Sequence, residues 1–318
     1  MAIYLDNNAT TRVAPEVLQA MLAHLEGPGG NPSSLHRLGA SAARALADAR
    51  AQVAGALRCE PADVVFTSGG TEANNLAIQG AVRALRRRGD HAVTTAVEHP
   101  SVLEPLRALE QEGLRLTVLE PDAQGRVDAA AVADAVEEGT VLVSVMHVQN
   151  ETGAVFPVEA IARRVKAKSN KALVHVDGVQ ALGKLPPPGD AVDLYAISGH
   201  KLHAPQGVGA LRVGRRVRLA PLVHGGGQER GLRSGTEPVA ALVGLGVAAA
   251  RAHAERAAFA ERARRLRAAL VAGIERLGGV LNSPEDGVPC TLNASFPGFA
   301  AEPLLHALEE RGVFVSTG

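Results

Sequence analysis

The sequence predicts an α/β fold with a mostly parallel sheet, on three observations. Short apolar runs of strand length alternate with longer helix-like runs along most of the chain. Polar residues gather where those runs end, the place where open α/β sheets bind ligands. The chain has 318 residues, 46% apolar and 21% charged, which excludes wholesale disorder and allows a large core. At about 150 residues per domain there is room for two domains.

The elements follow in order. Residues 63–67 read as a strand entering Ser68-Gly-Gly-Thr-Glu72, from which a helix runs toward Arg88. Residues 91–97 form the next strand, ending at Glu98-His99-Pro100, and 102–112 read as helix. Strands are expected at 114–119 and at the strongly apolar 141–148, which ends at Gln149-Asn150. A helix over 157–168 precedes a strand at 172–176 that ends at Asp177, and 193–197 leads into Ser198-Gly-His-Lys201. Lys184-Leu-Pro-Pro-Pro-Gly189 is a stiff surface connection. The Ala/Arg-rich stretch 238–277 reads as helix with a break expected near His253, where the chain passes to a second domain. Residues 280–297 are β-like, 302–311 helical, and 313–315 start a strand.

Lys and Arg total 33 and Asp and Glu total 33, so the basic excess of a dedicated nucleic-acid binder is missing. The first residues lack the basic and apolar segments of a signal peptide. The weakly polar run 238–250 is too short to span a bilayer, so no membrane association is expected. Two distant cysteines, Cys59 and Cys290, exclude a disulfide framework or a cysteine-rich metal site and suit a reduced, cytoplasmic compartment. Structural burial is the reading for Cys290. There are five lysines against 28 arginines, so each lysine is a candidate for Schiff-base chemistry that arginine cannot do.

The turn at 68–72 opens a helix after a strand. Its glycines and free helix N–H groups suit a phosphate; a plain capping turn on Ser68 or Thr71 is the alternative. Lys201 follows a strand end, where desolvation could free its amine, although most lysines are merely solvated. Asp177 ends an apolar strand and needs a cationic partner such as a protonated pyridine nitrogen, unless it caps a helix. Together these are the parts of a pyridoxal-phosphate site. Metal binding by His175, Asp177, His200 and His203 competes, but it leaves the turn, His99 and Asn150 unexplained. Two phosphate motifs are discounted. Gly178 to Lys184 has P-loop spacing but Leu185 in place of the Ser/Thr, and Gly244-Leu-Gly246 lies inside a helical run.

Several segments carry a family resemblance: Tyr4-Leu-Asp-Asn-Asn-Ala-Thr-Thr11, Gly30-Asn-Pro-Ser-Ser34 with His36, Phe66-Thr-Ser-Gly-Gly-Thr-Glu72, and Glu98-His99. Ser144-Val-Met-His-Val-Gln-Asn-Glu151, His175-Val-Asp-Gly-Val-Gln180, Ser198-Gly-His-Lys201 and His224-Gly-Gly-Gly-Gln-Glu-Arg-Gly-Leu-Arg-Ser-Gly-Thr236 continue it. Across the whole chain they resemble cysteine desulfurases of the NifS/IscS type, which are fold-type I pyridoxal 5'-phosphate enzymes of the class V aminotransferase family. The resemblance implies a large domain over 14–250 with a mostly parallel seven-stranded sheet, and a smaller α+β domain from 1–13 and 251–318.

It also implies roles. Lys201 is expected to link to the cofactor aldehyde and to move the substrate's α-proton. Asp177 is expected to pair with the pyridine nitrogen, His99 to stack on the ring and pass a proton, and Gln180 to reach the phenolic oxygen. Gly70, Thr71, Ser198 and His200 are expected to hold the phosphate. Asn150 is expected to lie by the cofactor and to help hold the carboxylate of the substrate, L-cysteine. Thr236 is expected to reach the phosphate of a neighbouring subunit, implying a homodimer. Asn7 and Asn31 are expected to line the site without a firm role, and an iron–sulfur scaffold or other sulfur acceptor is the implied partner. The family's nucleophilic cysteine sits on a loop that begins Ser-x-Gly and continues through Ser-Ala-Cys. The sequence stops at Ser316-Thr-Gly318, so residues 1–318 are expected to bind the cofactor without transferring sulfur.

Overall fold

Chain order in the computed structural model, which describes residues 2–122 and 124–317, begins β1 (Ile3–Tyr4), α1 (Pro15–Leu25), α2 (Arg37–Leu57), β2 (Val64–Thr67) and α3 (Gly70–Leu85). It continues β3 (His91–Thr95), α4 (Pro100–Gln111), β4 (Arg115–Leu119), α5 (Ala129–Asp134), β5 (Thr140–Met146), α6 (Val158–Lys168), β6 (Leu173–Asp177), β7 (Leu194–Ser198) and β8 (Gly209–Val213). The remainder is α7 (Val239–Arg276), β9 (Val280–Leu281), β10 (Ala294–Ser295), α8 (Ala301–Glu309) and β11 (Val313–Phe314). Gly318, the third residue of the expected loop motif, lies outside the described residues.

The main sheet has seven strands in the order β2-β8-β7-β6-β5-β3-β4. Only β8 runs against its neighbours, so the other strands share one C-terminal edge. Both faces are covered, which is why β5 is buried from end to end and reads as an unbroken apolar run. Side chains alternate between two cores. Val143, Val174, Tyr195 and Ile197 pack with Leu46 and Val53 of α2, Ile161 of α6 and Leu245 of α7. Leu142, Leu194, Ala196 and Leu211 pack with Leu76 and Ile78 of α3 and Leu106 and Leu109 of α4. Each such leucine contributes roughly 1.5–3 kcal/mol by burial.

The later part of the chain corrects two sequence expectations. α7 is one helix of 38 residues with no break near His253. Its middle is Ala, Arg, Glu and Leu, with neither Pro nor Gly to interrupt the ladder, and it runs straight through the boundary expected after residue 250. Gly244 and Gly246 are buried there against Met21 of α1 and Ala49 of α2, a packing role. The β-like stretch 280–297 holds only β9 and β10, two residues each and antiparallel; Pro284, Gly287 and Pro289 between them favour turns. β1 pairs in parallel with β11, joining the two ends of the described chain.

β8 escaped the sequence reading because Arg212 sits within it. That arginine is 4% exposed; its guanidinium donates to the carbonyls of Pro188, Gly189 and Val192 at 2.8, 3.1 and 2.9 Å. A second, half-buried cation fixes the segment that ends in Thr236. Arg50 of α2 donates to both carboxylate oxygens of Glu229 at 2.8 and 2.6 Å, and the Phe66 N–H donates to the same carboxylate at 2.8 Å. Glu229 and Arg230 both adopt left-handed backbone, with φ of 47° and 58°, a cost that this pair offsets. Arg50→Met strands the buried Glu229 carboxylate and is expected to destabilise the fold by roughly 3–5 kcal/mol. Urea unfolding measures it; a loss under about 1 kcal/mol, the range of an exposed pair, contradicts this account.

Candidate active site

The cradle forms where β2 turns into α3. Gly69 is the N-cap of α3 at φ 156° and ψ −176°, a conformation open essentially to glycine alone. A Cβ on Gly70 would lie 2.6 Å from Val179 Cγ2 and 3.3 Å from Ser198 Cβ, so a side chain there would close the space. The result is a cavity of about 330 Å³ lined by Gly70, Thr71, Ser198 and His200, with the N–H groups of a 16-residue helix opening beside it. Those are the four residues to which the family resemblance gives the phosphate. Glu72, also at the rim, is neutralised by Arg233, whose Nε donates to it at 2.9 Å.

Next to the cradle, Asp177 ends β6 at 7% exposure. Val179 N–H donates to one oxygen at 3.0 Å and the Asn74 amide to the other at 2.8 Å. Burial still pushes this carboxyl above the ordinary carboxylate range, against those donors and the nearby charge of Lys201. A buried acid short of positive charge is a fitting partner for a protonated ring nitrogen. His99 is linked to it: Asn74 Nδ2 also donates to Ser101 Oγ at 2.9 Å, and that oxygen lies 2.8 Å from His99 Nδ1. Glu98 is buried too, and burial pushes its carboxyl up to about 8 although Thr95 and Met146 donate to Oε1; Oε2 has no partner.

Lys201 follows β7. Its ammonium donates to the Asn8 carbonyl and, at 2.7 Å, to that of Ala9. Burial first, and then the charge of Lys184, push this amine down to about 8 from an ordinary 10.5; Asp6 and Asp177 work the other way. Gln180 is 6% exposed and also donates to Asn8 O, at 3.0 Å, while its Oε1 accepts from Lys184 at 2.7 Å. Asn8 donates in turn to the Asn150 carbonyl at 2.9 Å. Asn8, Asn74 and Ser101 therefore shape the site and were missed; Lys184 shapes it too, counted before among the five lysines and in a discounted P-loop motif. Only Asn8 carried a signal, one residue beyond Asn7 in the same motif.

Other expected positions stand apart. Thr236 is exposed three residues past Arg233, and Asn7 and Asn31 are exposed. Of the competing metal set, His175 Nδ1 is held by Ser144 at 2.8 Å and His203 Nδ1 by the Arg12 carbonyl at 2.9 Å. No three metal-ligating side chains converge among the described residues.

An anion cradle, a buried acid and a half-desolvated lysine at one sheet edge define a class: an enzyme built for a pyridine aldehyde carrying a phosphate. Residues 3–318 match the Aminotransferase class-V family, and the chain belongs to it. That family depends on pyridoxal 5'-phosphate. The chain is 43% identical to cysteine desulfurase 2 of Trichormus variabilis over 99% of its own length and 80% of the relative's. It superposes on a NifS-like protein with a TM-score of 0.98 at 39% identity, covering 100% of this chain and 88% of that one. A structure of SspA in complex with cysteine matches with a TM-score of 0.86 at 34% identity, over 99% and 89% of the two chains.

Two outcomes follow from the charges. Without cofactor, the rate at which Lys201 reacts with pyridoxal should rise with pH and level off near pH 8; a rate still climbing toward the ordinary lysine value of 10.5 contradicts the desolvation. Folded Glu98 keeps until about pH 8 a proton that an ordinary glutamate, at 4.5, has already released. It therefore costs stability increasingly as pH rises across that window. Glu98→Gln should gain stability relative to the wild type from pH 5 to 8, and a pH-independent difference in urea titrations contradicts the burial.

Proposed function

We propose that the protein takes sulfur from L-cysteine, giving L-alanine and a persulfide on a thiol. The observation that carries this is the Lys201 amine, held on the Asn8 and Ala9 carbonyls at the sheet edge that also carries the cradle and Asp177, with its proton affinity lowered. The desulfurase names of the relatives and the cysteine complex of one similar structure support the substrate.

Pyridoxal phosphate, when bound, supplies the electron sink for breaking bonds at the substrate's α- and β-carbons. The chain's own residues do the rest. Gly70, Thr71, Ser198 and His200 would hold the phosphate, Asp177 would keep the ring nitrogen protonated, and Gln180 would reach the phenolic oxygen. Asn150 holds the substrate carboxylate. Lys201 would take the α-proton and return it as alanine forms, and His99 would pass a proton in the sulfur step.

A thiolate then attacks the substrate sulfur. A sulfur–sulfur bond forms, the carbon–sulfur bond breaks with its electron pair going to carbon, and that carbon takes up a proton to leave alanine. Neither cysteine of the sequence suits this thiol. Burial pushes Cys59 up to about 11, far from thiolate at neutral pH, and Cys290 packs against Val148, Ala181 and Val288. The accepting thiol is a different one.

The exposed Thr236 suits contact with a second subunit's phosphate, which makes the working form a homodimer. Residues 14–250 form the cofactor domain, with 1–13 and 251–318 the smaller one. The persulfide supplies an iron–sulfur scaffold or another acceptor protein in the cytoplasm. No described helix is long and apolar enough to cross a membrane.

The test is the purified protein incubated with pyridoxal phosphate and then L-cysteine. A visible absorbance band should form, perturbed by cysteine and absent in Lys201→Ala, with sulfide released only when a competent thiol is added. A band equally strong in the variant, or turnover of other amino acids without sulfur release, contradicts the reading.

A further inference from the structure

The link between Asp177 and His99 carries directional information. Facing a carboxylate, the Asn74 amide must present its NH₂ group. One hydrogen goes to Asp177 Oδ2 at 2.8 Å and the other to Ser101 Oγ at 2.9 Å. Both hydrogens are then spent, and Asn74 Oδ1 has no partner. Because Ser101 Oγ accepts from Asn74, its own hydrogen is free for His99 Nδ1, 2.8 Å away. The Ser101 backbone N–H points at the same ring nitrogen at 3.0 Å, where the imidazole serves as the N-cap of α4. Two donors converging on one nitrogen need a lone pair there, so the ring proton resides on Nε2. Asn74 and Ser101 are 0% and 8% exposed, which shields both bonds from water, while His99 itself stays exposed at the mouth of the site.

We propose that Asn74 and Ser101 are positioning residues that hold His99 as its neutral Nε2–H tautomer, keyed to the Asp177 carboxylate. The ring then offers a proton from its exposed edge and cannot accept one there. Resting on the function proposed above, this makes His99 a proton donor toward the reacting substrate and leaves α-proton removal to Lys201. Neither Asn74 nor Ser101 touches the substrate in this arrangement; each acts through its neighbour.

The test reads the ring nitrogens directly, on holoprotein labelled with ¹⁵N-histidine at neutral pH, with His99→Gln identifying the His99 signals. The wild type should show an unprotonated Nδ1 and a protonated Nε2. Ser101→Ala removes one of two donors and should shift the tautomer ratio toward Nδ1–H by about fivefold, the effect of one hydrogen bond. Asn74→Leu should shift it the same way by freeing the serine hydroxyl, and Ser101→Thr should restore the wild-type signals. Thermal unfolding and the visible cofactor band confirm that each variant is folded and loaded. A protonated Nδ1 in the wild type, or unchanged ring signals in a folded Ser101→Ala, overturns the proposal. The measurement needs no turnover, so failure of the sulfur reaction and failure of this tautomer assignment are distinguishable.

Discussion

Six of the seven strands run the same way, and that single constraint makes the site. Parallel strands must deliver all their C-terminal ends to one edge, with the polar residues that stop each apolar run. Ser68, His99, Asn150, Asp177 and Lys201 are far apart in sequence and meet because β2, β3, β5, β6 and β7 end together. The antiparallel β8 contributes in another way. It returns the chain from Lys201 to lie between β2 and β7, which brings the cradle turn and the lysine onto adjacent parts of that edge.

Electrostatics completes what topology assembles. A buried acid short of positive charge and a lysine short of protons are each unfavourable alone. Burial raises the proton affinity of Asp177 and lowers that of Lys201. A ligand with a cationic nitrogen, an electrophilic carbon and an anionic tail relieves both at once, and the helix N-terminus at Gly70 receives the tail. Such strain at a site is balanced by rigidity elsewhere: the Arg50–Glu229 pair and the arginine inside β8 are held by several acceptors each.

Much of this was legible in the sequence. The apolar runs that became β2, β3, β5, β6 and β7 stand out because both faces of the sheet are covered there, and the polar residues after them marked the edge. The resemblance to cysteine desulfurases agrees with the family found by comparison. What stayed hidden follows physical rules too. β8 was disguised by an arginine whose carbonyl partners lie some 20 residues earlier in the chain. The absent break in α7 shows that a lone histidine does not stop an alanine-rich helix. Asn74 and Ser101 lie on α3 and α4, and no local pattern announces that their side chains meet at Asp177; only the packing of the two helices on the sheet does.

The central claim is that the amine at Lys201 is where the cofactor attaches. Borohydride reduction of the loaded protein, followed by proteolysis and mass spectrometry, tests it most directly. The account predicts one phosphopyridoxyl group, on the peptide that contains Lys201. The same group found instead on Lys184, the other lysine at the site, or spread over surface lysines, would contradict it.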